Sequence, residues 1–169
     1  MIVLRAALGI ALALIVQLAL GRFAPTATRY ADVMLLPLAV YALKTSQRSA
    51  MVVGCVSGLV QDFWTEPRLF GLNGLVKTVL GWALGGLGAR FEINRAPGRF
   101  LAGAALHLAE TGLAAGVRRL FGETLGPVAP VALLIRAIVG GLLTAAVLAI
   151  VDRAGAARRK PAAPVRRTT

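Results

Sequence analysis

Long apolar runs, rather than alternating apolar and polar positions, organise this chain. Ile2 to Gly21 is nearly unbroken, long enough to cross roughly 30 Å of hydrocarbon as a helix. Five further apolar segments follow at 30–43, 50–64, 70–89, 100–117 and 127–151. The second and third are shorter than the usual minimum of about 17 residues, so they are expected to be tilted or partly interfacial. Pro37 should kink the second or start it within the interface. The run 2–21, with Arg5 before it ends in Ala19-Leu20-Gly21, imitates a signal peptide. Its length exceeds the usual apolar region of about 7–15 residues, which predicts an uncleaved first helix.

This pattern predicts an all-α integral membrane protein, a compact bundle of about six transmembrane helices in one domain over 1–152. Residues 153–169, rich in Ala, Pro and Arg, are expected to form a disordered basic cytoplasmic tail with weak attraction to anionic headgroups. Orientation follows the basic residues. With an inside N-terminus, the cytoplasmic segments carry Arg5, Lys44, Arg48, Arg90, Arg95, Arg99 and the six basic residues Arg153, Arg158, Arg159, Lys160, Arg166 and Arg167. The outside segments carry only Arg22, Arg29, Arg68, Arg118 and Arg119, so both termini are expected in the cytoplasm.

Composition agrees: 57% of residues are apolar, 15% are charged, and the mean hydropathy is +0.75. A soluble domain runs nearer 45–50% apolar with about a quarter of its residues charged. The net charge of +12 lies in short loops and the tail, with no basic recognition helix, so nucleic acid is not an expected partner. Cys55, the single cysteine, excludes an internal disulfide and a multi-cysteine metal site, and reads as a buried thiol.

Ionisable residues inside apolar segments are costly and normally face partners within the bundle. Asp62, Lys77, Glu110 and Arg136 are two negative and two positive groups, and their depths predict two internal pairs, Asp62–Lys77 and Glu110–Arg136. Asp32, at the start of the second segment, is expected at the interface. His107 shares a helix face with Glu110 and reads as part of a polar seam against the last segment. One histidine and one cysteine are too few for a convergent metal site, and no metal or other cofactor is expected. Ser57 lies in no G-x-S-x-G or S-x-x-K arrangement, and there is no Walker-type phosphate loop. No catalytic residue is assigned, and an enzyme is not expected. Gly54–Gly58, Gly81–Gly85 and Gly112–Gly116 have the spacing that lets helices approach closely. Between Asp62 and Leu75 a corner is expected, with Pro67 enforcing a turn and Gly71, Asn73 and Gly74 opening the next helix, locked by Asp62 and Lys77.

Residues 30–85 resemble the MreD rod shape-determining family. The resemblance lies in Tyr41-Ala42-Leu43 before a basic turn, then Gly54, Gly58 and Asp62 spaced as G-x-x-x-G-x-x-x-D. The stretch Phe70-Gly71-Leu72-Asn73-Gly74-Leu75 follows. This chain departs from the family's pattern at Ala31-Asp32 and at Phe70. The resemblance implies a non-enzymatic scaffold subunit of the bacterial cell-elongation machinery in the inner membrane. Its implied partners are an MreC-like single-span protein, MreB, RodA and a class B penicillin-binding protein, besides membrane lipid. The family is also similar in layout to substrate-binding subunits of vitamin-uptake energy-coupling transporters. In that alternative, Gln61, Trp64, Asn73 and Trp82 are the candidates to line a pocket mouth.

Overall fold

The computed structural model describes residues 2–28, 30–65, 69–90, 93, 95–124, 126 and 129–158. All regular structure among them is helical: α1 (Ile2–Phe23), α2 (Pro25–Thr28), α3 (Leu35–Lys44), α4 (Gln47–Thr65), α5 (Leu72–Arg90), α6 (Ala96–Leu120) and α7 (Pro130–Arg158). Three helices are long and apolar enough to cross a membrane: Leu4–Phe23, Ala96–Leu120 and Pro130–Ala156. The distribution of side chains is inverted relative to a protein dissolved in water. Asp32, Asp62, Lys77, His107 and Glu110 are buried, whereas Leu8, Leu12, Ile15, Leu101, Leu134 and Ile150 face outward. An apolar exterior with the charged groups kept inside is what a hydrocarbon solvent selects, and the chain is a membrane protein.

Helices α4 and α5 form the tightest pair. Glycine makes their approach possible: a Cβ on Gly54 would lie 2.3 Å from the Lys77 carbonyl oxygen, and one on Gly58 would lie 2.3 Å from that of Asn73. Gly81 and Gly85 answer from the other helix, against Ala50 and Gln47. Gly112 and Gly116 differ. They look away from the bundle, with nothing within 4 Å of an added Cβ.

Helix α3 departs most from expectation. Only 35–44 of the second apolar segment is helical, about 15 Å of rise, or half the hydrocarbon thickness. The chain enters it through a non-helical stretch, yet every residue from Ala31 to Ala39 is buried. Such backbone is tolerated at membrane depth only when protein surrounds it. Pro37 stands in the first turn, where its missing N–H removes no helical bond. Leu35, Leu38, Ala39 and Ala42 then pack into a core with Ala50 of α4, with Leu72, Val76, Leu80 and Leu84 of α5, and with Leu106 of α6. A second core joins Ile10 and Ala13 of α1 to Val33, Met34, Leu36 and Val53.

The expected tail boundary also shifts. Helix α7 continues through position 153 to Arg158, because Asp152 is tied to its neighbours and Ala-rich sequence favours the helix. The remainder of the tail and Pro67 of the expected corner lie outside the described residues.

Substitution at the two kinds of glycine should separate cleanly. Gly58→Val forces α4 off α5 and is expected to cost about 1–3 kcal/mol or more, as overpacking does. Gly112→Ala meets nothing and should leave stability unchanged or raise it by about 0.5–1 kcal/mol. Thermal unfolding in mild detergent measures both, and equal effects would contradict the packing described.

Candidate functional site

A chain of four alternating charges crosses the interior. It begins at Asp32, in the non-helical entry to α3. Asp32 Oδ1 accepts the N–H of Met34 at 2.9 Å, and its carbonyl accepts that of Leu35 at 3.3 Å, so the residue makes the turn that leads into the helix. Its other oxygen, Oδ2, accepts from Gln61 Nε2 at 3.1 Å and from Lys77 Nζ at 2.7 Å. Lys77 Nζ also donates to Glu110 Oε1 at 2.5 Å, and Arg136 Nη2 donates to Glu110 Oε2 at 2.9 Å. Lys77 is fully buried, Asp32 and Glu110 almost so, and only Arg136 is partly open, its side chain 22% exposed. Two carboxylates and two cations, drawn from the α3 entry, α5, α6 and α7, sum to zero.

The expected Asp62–Lys77 pair does not form. Asp62 is buried at the end of α4 and turned to the start of α5, where its carboxylate serves as an N-terminal cap. Oδ2 accepts the N–H groups of Gly71 at 3.1 Å and Gly74 at 3.0 Å; Oδ1 accepts the Asn73 N–H at 3.1 Å and its Nδ2 at 2.9 Å. Helix N-termini leave unpaired N–H groups and a partial positive charge, and Asp62 meets both. Gly71, at φ 96°, supplies the left-handed residue that aims its own N–H at the carboxylate. Lys77 lies farther along α5, beyond this reach, and takes Asp32 instead. Asp32 is accordingly interior rather than interfacial. The half-length of α3 carries it there.

The structure brings Glu110 and Arg136 together, with Lys77 as a third member that the sequence reading did not include. His107 sits one turn from Glu110, fully buried, its Nδ1 2.9 Å from the Gly103 carbonyl oxygen. Its ring lies against Gly140, where a Cβ would come within 2.3 Å, so the seam between α6 and α7 depends on that glycine. Gly103 meets Thr144 and Gly141 meets Phe100 in the same seam. Among the described residues no three His, Cys, Asp or Glu side chains are placed to hold a metal ion. The four residues considered for a pocket mouth do not converge: Trp64 and Trp82 face outward, Gln61 is bound to Asp32, and Asn73 to Asp62.

Every carboxylate oxygen of Asp32, Asp62 and Glu110 carries a donor from the protein. General acid–base work needs a carboxyl within reach of a substrate proton. Here all three carboxyls are buried and their donors come from neighbouring helices and turns, an arrangement suited to holding helices in register. A second ionic clasp ties one end of the bundle, where Asp152 of α7 accepts from Lys44 of α3 at 2.5 Å and from Arg99 of α6 at 2.6 Å. That clasp is partly exposed and is worth at most about 1 kcal/mol.

Removing one member of a buried pair strands the other, at a cost of about 3–5 kcal/mol. Lys77→Met should therefore lose about that much stability, while Lys77→Met/Asp32→Asn recovers part of it, because asparagine keeps the hydrogen-bonding shape without the stranded charge. A double-mutant cycle on detergent-solubilised protein measures the coupling, and strictly additive losses would sink the chain as described. Exchanging the charges of Glu110 and Arg136 together should not rescue the single reversals, since position 110 would then present a cation to Lys77. Asp62→Ala should cost about 0.5–2 kcal/mol as a lost cap, with Asp62→Asn milder, in the same unfolding assay.

Compared with known proteins, the chain matches no protein-family model, no curated protein and no solved structure.

Proposed function

We propose that this chain is a non-enzymatic scaffold subunit of a bacterial inner membrane. It crosses six times, through α1 and α3–α7, with both termini in the cytoplasm. Its role is to support cell elongation and peptidoglycan synthesis by lateral helix contacts, as the resemblance of residues 30–85 to the MreD family implies. The partners are an MreC-like single-span protein and, through it, MreB filaments, the RodA polymerase and a class B penicillin-binding protein.

The observation that carries this reading is the closure of the interior. With the carboxylates of Asp32, Asp62 and Glu110 all engaged internally, the surface left for function is the outer face of the helices. Association there proceeds by van der Waals packing and close approach at small residues. Gly112 and Gly116 on the outward side of α6 provide such a place. Orientation is supported by the Lys44–Asp152–Arg99 clasp, which gathers basic residues of α3 and α6 at one end.

The test combines depletion with co-purification. Loss of the protein from a rod-shaped host should give rounded cells, and mild-detergent extracts should yield the single-span partner with it. Gly112→Trp and Gly116→Trp should lower the recovered partner while leaving the Tm in place. Rod-shaped depleted cells, or a bound vitamin in the purified protein, would count against the scaffold and favour uptake.

A further inference from the structure

A groove of about 700 Å³ runs between α1, α3 and α7. Its walls are apolar, among them Leu12, Val16, Leu36, Val40, Val147 and Ile150, and its charged lining residue is Arg5, at one end. The groove exists because α1 touches the rest of the bundle mainly through Ile10, Ala13 and Gln17, and because α3 is short. Gly9 faces the slot with nothing within 4 Å of an added Cβ. At the deep end, Gln17 Oε1 accepts the N–H of Val33 at 3.0 Å and bridges α1 to the entry of α3.

Length and lining restrict the occupant. From Arg5 to Val16 is eleven residue steps, about 16 Å of helix rise, which matches one leaflet of a hydrocarbon core roughly 30 Å thick. Leu12, Val16, Leu36, Val40, Val147 and Ile150 present hydrocarbon along that length, which suits an extended acyl chain. Charge completes the match. Lys44 and Arg99 at this end are occupied by Asp152, whereas Arg5 makes no ion pair among the described residues.

We propose that the groove binds one phospholipid of the adjoining leaflet, acyl chain against α3 and anionic headgroup at Arg5. The proposal needs only the membrane character of the chain and is independent of the scaffold role. Native mass spectrometry of the full chain, released from vesicles of equal phosphatidylglycerol and phosphatidylcholine, tests it. One retained phosphatidylglycerol is expected, favoured about fivefold, the worth of one basic side chain near an anionic surface. Arg5→Gln should abolish the preference while lipid is still retained, and Gly9→Phe should fill the slot and abolish retention. Equal retention of both lipids by the unaltered chain, a preference untouched by Arg5→Gln, retention untouched by Gly9→Phe, or a dimer that Gly9→Phe converts to monomer would each overturn the proposal. Should Gly9→Phe fail to accumulate, the preference and its loss in Arg5→Gln decide alone.

Discussion

The ammonium of Lys77 is the group around which the interior is arranged. A fully buried cation among apolar helices is tolerable only with counter-charges at hydrogen-bonding distance, and it has two, Asp32 and Glu110. A second carboxylate overcompensates one cation, so Arg136 joins Glu110 and brings the sum to zero. Meeting this demand fixes the positions of the α3 entry, α6 and α7 relative to α5. Close packing follows from it: glycines at 54 and 58 bring α4 onto α5, and Gly140 admits the His107 ring between α6 and α7. Packing and charge therefore specify the same bundle.

Much of the helix layout was legible in the sequence because hydrocarbon solvent leaves a coarse signature. The apolar runs locate α1 and α4–α6 to within a few residues of their ends, and the start of α7, which continues past its run to Arg158. The second run was harder. Its length blurred a half-helix with a tilted one, and Asp32, inside the run, gave no sign of where the helix begins. Asp62, Lys77, Glu110 and Arg136 stood out within spans as a balanced set, but the structure balances its charges with Asp32 in place of Asp62. Partnership was not legible. Depth along separate helices could not show that Asp32 enters the interior, so Lys77 was matched to Asp62. Asp62 had a nearer claimant in the N–H groups that open α5. Glycine spacing had the same limitation: Gly54–Gly58 meets a neighbour and Gly112–Gly116 does not, and only the fold distinguishes them.

In the scaffold proposed above, precision would come from rigidity, because a partner packing on α6 or α7 would meet helices already held by Glu110, His107 and Asp152. Interactions among transmembrane helices are individually modest, so a pre-ordered surface counts for much of their selectivity.

Along the polypeptide the four charges occur as negative, positive, negative, positive, at positions 32, 77, 110 and 136. During synthesis, which exposes the N-terminal segments first, each later segment delivers the counter-ion for the one before it. The growing chain thus never carries more than one uncompensated charge from this set. Asp32 waits for Lys77, and Glu110 for Arg136, so the order of translation is itself a neutralisation schedule.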